Sequence, residues 1–443
     1  MEIQRQASLD VAPAGLRPGI RLSHAVALYV SSVLGSGVLV LPGLAAQVAG
    51  PASLVAWILL GIASVPFAFT FASLSIRKPE SGGVYAFARE AFGRPAAGAV
   101  GWLFALWHVT GAPAVTLIAA SYLSFAFPLD RWTVDLVAFA VILVPYLINM
   151  RGIVMSARIQ LAVVGAIFVL LAAAVIVSAG SVRASELSPF APKGWLPVGT
   201  AAALIFWSFL GYENVSNVAE EFRDPRRDLR RSVLISVFVI GVLYLLVAVV
   251  TVGTGAWRAG GSVAPFASIF SRVFGPSGAA ATAVLALGII FGTVNAYTTG
   301  LSRVVLAVAR DGLLPRAFMR VSPRTGAPTG SLTLLTGMSL AMLLAFAILN
   351  VDLKTALLVP GGAAILVYVI GSASGIRLLS GGRRLMAWIS LVLSLAVLPF
   401  VGREALAGLV TAGVAFLAAR RPRSRGGEPP AADSPAARPD HRP

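Results

Sequence analysis

Cysteine is absent from the 443 residues, which removes disulfides, thiol nucleophiles and Cys-ligated metals from the available chemistry. Histidine is nearly absent: three residues, one of them His441 in the final stretch, are too few and too scattered for a metal centre. Charge is scarce too, at 12% of residues against 57% hydrophobic, and it falls in short clusters between long uncharged runs. A water-soluble core does not distribute charge in this way. The sequence has no GxxxxGK[ST] phosphate loop, HExxH zinc pair or GxSxG nucleophile elbow, so ATP-driven work and the commoner hydrolase chemistries have no support. No cofactor, metal or enzymatic activity is expected.

What the sequence does contain is long apolar runs with few or no charges. A helix needs about 20 apolar residues to cross the ~30 Å hydrocarbon layer. Twelve runs qualify, at 22–48, 53–76, 97–127, 132–150, 159–180, 198–220, 232–256, 278–308, 331–349, 355–376, 385–401 and 402–419. Only a turn at Gly402 and Arg403 parts the last two, so eleven spans is the alternative count. Short cytoplasmic loops collect Lys and Arg. Of the 35 basic residues, counting Arg303 with the loop that follows its run and Arg403 with the turn between the last two, 28 fall on the N-terminal arm, the even-numbered loops and the tail, against 7 on the opposite loops. The expectation is an all-α, polytopic helix bundle in the cytoplasmic membrane with both termini inside. The net charge of +17 is spread over loops rather than gathered on one face, which argues against nucleic acid and for contact with anionic lipid. Residues 1–20 read as a cytoplasmic arm with nothing cleaved, and 420–443, rich in Pro, Ala and charge, as a disordered tail.

Two spans are interrupted. The first carries Val33-Leu34-Gly35-Ser36-Gly37-Val38 halfway along, and the sixth ends in Trp207-Ser208-Phe209-Leu210-Gly211-Tyr212-Glu213-Asn214. Glycine costs roughly 1 kcal/mol in a helix interior relative to alanine, so two bracketing a serine favour local unwinding. Unwound backbone survives at membrane depth only where it lines a cavity or is buried in protein. The same glycines also suit a helix-packing contact. Breaks in spans one and six are the pattern of a five-helix unit repeated with inverted topology, here a ten-helix core over 21–380 with two additional helices over 381–419.

Glu213 is the one carboxylate placed deep within a span, and an intramembrane acid is a functional candidate and a possible proton carrier by default; a Glu hydrogen-bonded between helices is the alternative. His108 in the third span is the other intramembrane titratable group, either a site residue or a packing residue. Trp207 and Tyr297 suit gates or bundle packing. Asn295, Thr298, Thr299 and Ser302 form a polar stripe on the eighth span that faces either a cavity or another helix.

Four segments carry a family resemblance. They are GSGVLVLP in span one, SGGVYAFAREAFG after span two, WSFLGYENVSNVAEEFRDPRRD across span six, and SRVVLAVARDGLLPRAFMRVSPRTGAPT after span eight. In this order over residues 20–380 they resemble the amino acid, polyamine and organocation transporters. The first hundred residues are most similar to that family's bacterial exporters of methionine and branched-chain amino acids. The resemblance implies two inverted repeats of five helices, with the substrate at midplane against both broken helices. It implies that backbone around Gly35, Ser36 and Gly37 holds the substrate carboxylate, and that the carbonyls of Val33, Trp207 and Leu210 receive the ammonium. Trp207 matches an aromatic that closes over the substrate, Glu213 a gating and proton-sensing glutamate, and His108 and Tyr297 side-chain pocket positions. Some relatives carry a lysine seven residues after a glutamine on span five, in place of a coupling sodium ion. Here the glutamine is Gln160 and the lysine position is Ile167. A polar pocket residue near Ala112 is also missing, which disfavours strongly polar substrates.

The expectation is a secondary transporter of neutral, aliphatic or methionine-like amino acids, proton-coupled, with export favoured over uptake. Transport of cationic amino acids or polyamines and a non-transporting nutrient sensor or channel are the alternatives. The oligomeric state is not legible.

Overall fold

The computed structural model describes residues 16–35, 37–258, 274–349, 351, 353–399 and 405–420. The expected tail, most of the N-terminal arm, Ser36 and the turn at Gly402 and Arg403 lie outside the described residues.

The described chain is almost entirely helical. Its first helices are α1 (Leu22–Leu34), α2 (Gly37–Ala49), α3 (Ser53–Arg77), the short amphipathic α4 (Val84–Phe92), α5 (Arg94–Ala126), α6 (Arg131–Met150) and α7 (Ile153–Ala179). There follow α8 (Leu196–Phe206), α9 (Pro225–Gly253), α10 (Pro276–Arg310), α11 (Thr329–Leu349), α12 (Leu353–Leu378), α13 (Gly381–Val397) and α14 (Ala405–Arg420). Eight stretches of helix are long and apolar enough to cross a membrane, the first of them the interrupted run Leu22–Arg77. Among the described residues no sheet forms; one parallel bridge joins Ile20 to Phe222.

Burial runs opposite to that of a water-soluble protein. Large apolar side chains face outward along the long helices: Ile62 is 65% exposed on α3, Ile176 72% on α7 and Phe238 71% on α9. Polar side chains lie inside. Asn149, Gln160, Asn295 and Arg303 are all fully buried. Such a surface is stable only against hydrocarbon, and the chain is an integral membrane protein.

The polar stripe on α10 faces other helices rather than the cavity. Asn149 of α6 donates to Asn295 Oδ1 at 3.0 Å and accepts from Thr299 at 2.8 Å. Asn295 donates to Gln160 of α7, which in turn reaches the Gly292 carbonyl at 3.1 Å and the Ser31 hydroxyl of α1. Four helices are thus tied by side-chain amides. Each interhelical bond contributes only about 0.6 kcal/mol in a membrane protein, so the network acts by fixing register as much as by strength. Ile167, in the place of the family's lysine, is buried and packs toward Gly288 of α10.

One end of the bundle is held by charge. Arg89 of α4 pairs with Glu80 and with Asp311, which also accepts from Tyr85 at 2.7 Å, while Arg310 reaches Glu220 at 3.5 Å. Arg77 beside Glu90 holds that carboxyl below the usual glutamate range. The deepest pair is Arg303 with Glu221, Nε to Oε1 2.7 Å, both side chains essentially inaccessible. Arg303 also donates to the Thr299 carbonyl and the Ser302 hydroxyl. The Glu221 carbonyl accepts from the N–H groups of Gly19 and Ile20, so this pair also anchors the segment leading into α1. Removing one member leaves the other charge buried and unpaired. Arg303→Met is therefore expected to destabilise the protein by about 3–5 kcal/mol, read as a lowered unfolding temperature in detergent. Adding Glu221→Met should recover most of that loss, and equal or additive losses in the single and double variants would refute the pairing argument.

Candidate substrate cavity

Both expected breaks are present, and they meet. Helix α1 stops at Leu34, and Gly35 turns the chain with φ +27° before α2 begins at Gly37. Helix α8 stops at Phe206, continues as a 3₁₀ turn over Trp207–Phe209, opens around Gly211 (φ +131°), and resumes as 3₁₀ helix over Asn214–Glu221. Positive φ suits glycine, which has no Cβ. At Gly211 the reason is also spatial, since a Cβ there would lie 2.6 Å from the Ser32 carbonyl oxygen. The two interruptions are packed backbone against backbone.

A helix end leaves its last four carbonyls without intrahelical partners. For α1 these lie in the middle of the bundle, and side chains from other helices take them up. Thr293 of α10 donates to the Ser31 carbonyl at 3.1 Å. Tyr244 of α9 places its hydroxyl 2.7 Å from the carbonyl oxygen of Val33, 3.1 Å from that of Leu34 and 2.9 Å from that of Ser208. Asn214, beyond the second break, donates to the Ser32 hydroxyl at 2.8 Å and the Ala296 carbonyl at 2.9 Å.

A cavity of about 60 Å³ lies where the breaks meet α5 and α10. One water needs roughly 10–15 Å³ on the same measure, so the space accepts a small molecule. It is lined at the breaks by Val33, Gly35, Gly37, Ser208 and Leu210, and across from them by Trp107, His108 and Ala112 of α5 with Thr293 and Tyr297 of α10. No charged side chain is among its lining residues. The Ser208 hydroxyl is buried without a hydrogen-bond partner among the described residues. The ring of Trp107 packs on Tyr297 at 5.2 Å between centroids.

Glu213 is fully buried but stands behind this wall. Its carboxylate accepts from Tyr368 of α12 at 2.6 Å, from the Gly211 N–H at 3.0 Å and from Tyr297 at 3.4 Å. Tyr368 also accepts from the N–H groups of Gly211 and Tyr212, so the acid is fastened to unwound backbone. Of the residues expected at a site, Val33, Gly35, Gly37, His108, Leu210 and Tyr297 converge on one cavity. Glu213 adjoins it through Tyr297. Ser36 lies outside the described residues, and of Trp207 only the backbone is described. Sequence reasoning missed Tyr244 and Tyr368. Neither sits in a quoted motif, and a tyrosine in an apolar run signals nothing until its hydroxyl's partner is known.

The amino acid permease family model matches residues 20–417. The chain belongs to that family. It is 35% identical over 373 residues to the uncharacterized amino acid permease YecA of Bacillus subtilis (strain 168), covering 84% of this chain and 88% of that one. It is 30% identical over 414 residues, 92% of this chain and 98% of the other, to the L-methionine/branched-chain amino acid exporter YjeH of Escherichia coli (strain K12). It is 32% identical over 348 residues to the vacuolar cationic amino acid transporter 4 of Arabidopsis thaliana, covering 72% of this chain and 57% of that protein. The family and these relatives are transporters, not enzymes, and the permease is an amino acid transporter.

A Cβ on Gly37 would collide with the Ser208 side chain and also crowd Leu41. Gly37→Val is therefore expected to abolish amino acid binding while the protein still inserts and folds, with calorimetry on purified protein as the measurement. Unaltered affinity in this variant would remove the GSG turn from the site.

Proposed function

We propose that this permease is a secondary carrier of neutral, aliphatic and methionine-like amino acids, working by alternating access as a proton-coupled exporter. The carrying observation is the uncharged cavity at the meeting of two helix breaks. Open backbone there offers N–H groups to a carboxylate and carbonyls to an ammonium, while Trp107, Ala112 and Tyr297 offer apolar surface to a side chain. In this reading the turn at Gly35, Ser36 and Gly37 receives the carboxylate at the positive end of a half-helix. The carbonyls of Val33, Trp207 and Leu210 receive the ammonium, His108 and Tyr297 bound the side chain, and Trp207 closes over it. Similarity to the methionine and branched-chain exporter along nearly its whole length supports both substrate class and direction.

The coupling role falls to Glu213. It is the carboxyl adjoining the cavity, and its three donors include the cavity wall itself through Tyr297. With export driven by inward proton flow the carrier is an antiporter. The membrane arrangement follows the charge bias, 28 basic residues against 7. It comprises twelve spans in the cytoplasmic membrane with both termini inside, a 5+5 inverted-repeat core over 21–380 and two further spans over 381–419.

A second reading, transport of cationic amino acids, is favoured by similarity to the Arabidopsis transporter. The cavity speaks against it, because a cationic side chain would have no carboxylate on the wall to meet.

Counterflow in proteoliposomes screened over the twenty amino acids tests the proposal. Leucine, isoleucine, valine and methionine should exchange, and arginine and lysine should compete poorly; a best competitor that is cationic overturns the substrate class. Glu213→Gln keeps the shape of the acid but cannot release a proton. Binding should persist within about tenfold, a change of ~1.4 kcal/mol, while uphill accumulation driven by a pH gradient disappears. Uphill transport with an unchanged pH response in that variant would leave Glu213 a purely structural residue.

A further inference from the structure

The Tyr244 hydroxyl belongs to no quoted motif, and Tyr244 is not among the residues lining the cavity described above, yet the hydroxyl touches both breaks at once. Three carbonyl oxygens surround it, those of Val33 and Leu34 at the end of α1 and that of Ser208 in the unwound part of the other broken helix, all within 3.1 Å. A phenol carries one proton. It satisfies one of the three at a time, and among the described residues no other donor reaches them, although Val33, Leu34, Ser208 and Tyr244 are all buried. The ring is fixed from the far side: Tyr244 is 1% exposed, with Trp57 of α3 and Phe209 each at 5.2 Å between centroids. Two of these three carbonyl-bearing residues, Val33 and Ser208, also line the cavity. The hydroxyl therefore holds the backbone of two residues that line the cavity, one from each break.

We propose that Tyr244 is a positioning residue for the substrate's ammonium group: its hydroxyl clamps the two helix breaks together and leaves a donor-poor cluster of carbonyls that selects a ligand bringing several N–H donors of its own. This rests on the reading of the cavity as an amino acid site. The clamp has two consequences. The carbonyls of Val33 and Ser208, which come from helices separated by more than 170 residues of chain, hold a fixed separation. The proton deficit makes a primary ammonium, with three donors, a better occupant than a neutral or anionic group of the same size. Leu34 and Ser208 give the hydroxyl alternative acceptors, so it can release Val33 to an incoming ammonium without leaving its own proton unpaired.

Tyr244→Phe removes the hydroxyl and keeps the ring against Trp57 and Phe209. The experiment measures competition against bound radiolabelled L-leucine in purified protein. One competitor pair is L-leucine and 4-methylpentanoate, which differs by lacking the ammonium; the second is L-methionine and 4-(methylthio)butanoate. In the native protein each amino acid should compete far better than its deaminated partner. In Tyr244→Phe that preference should fall at least tenfold, with the affinity of the deaminated acids unchanged. A purely structural role would weaken both members of a pair alike and leave their ratio intact, and that result overturns the proposal. The same holds for a variant indistinguishable from the native protein. Absence of any preference in the native protein is a separate outcome: it overturns the amino acid reading of the cavity, and the role of Tyr244 falls with it.

Discussion

Backbone polar groups freed inside hydrocarbon must find partners within the protein, and that requirement organises the centre of this permease. Interrupting α1 and α8 opens carbonyls and N–H groups at a depth where water does not reach them freely. The neighbouring helices respond with side chains whose hydroxyls meet those groups, Thr293 at Ser31, Tyr244 at Val33, Leu34 and Ser208, and Tyr368 at Gly211 and Tyr212, while Asn214 of the second break reaches out to the Ala296 carbonyl of α10. The partners come from α9, α10 and α12 as well as from the broken segments. The breaks are consequently junctions where the bundle is most heavily cross-linked by hydrogen bonds, rather than loose points in it.

The end of the bundle carrying Arg303 and Glu221 follows a different logic. Ion pairs there are numerous, and several are half exposed, where each contributes at most about 1 kcal/mol. Their value lies in connecting α3, α4, α10 and the segment after the second break into one plate. The centre, by contrast, is tied by neutral hydrogen bonds, several of them shared among acceptors. A hydroxyl facing three carbonyls exchanges one acceptor for another at little cost, whereas a buried ion pair does not. The hydrogen bonds around the cavity can therefore exchange partners while the cross-links between helices persist, which the ion pairs at the charged end cannot do.

How far the sequence disclosed this depended on the kind of signal. Long apolar runs announced membrane helices because their length matches the hydrocarbon layer; GSG announced the first break because glycine is where a helix yields, and the sixth run announced the second by ending abruptly in polar groups. The cavity wall was legible at Val33, Gly37, His108 and Tyr297 through motif spacing. The polar stripe at Asn295 and Thr299 was visible, but its direction was not, since a face of α10 is equally consistent with a cavity and with helices α6 and α7. Tyr244 and Tyr368 were illegible. Each is a single aromatic within an apolar stretch, and its importance comes from a contact more than 150 residues away in the case of Tyr368 and Glu213, and more than 200 in that of Tyr244 and Val33. Periodicity reports which face of a helix is apolar; it carries no record of which distant carbonyl a hydroxyl will meet.

Under the proposed coupling, the arrangement around Glu213 offers a route by which occupancy of the cavity is felt beyond it. A ligand shifts a conformational equilibrium only by interacting differently with the two states, so a coupling route needs a group that belongs to both the cavity and the switch. Tyr297 is such a group: its ring forms cavity wall against Trp107, and its hydroxyl reaches Glu213. That bond, at 3.4 Å, is the longest of the three to the carboxylate, against 2.6 Å from Tyr368 and 3.0 Å from Gly211. Hydrogen bonds weaken with stretch, so of the groups holding the acid, Tyr297 is the one a small displacement of the wall alters most. In the proposed carrier, Tyr368 and the unwound backbone would keep the carboxyl in place while Tyr297 comes and goes. Substrate and proton would then meet through one phenol, with no need for direct contact between the ligand and the acid.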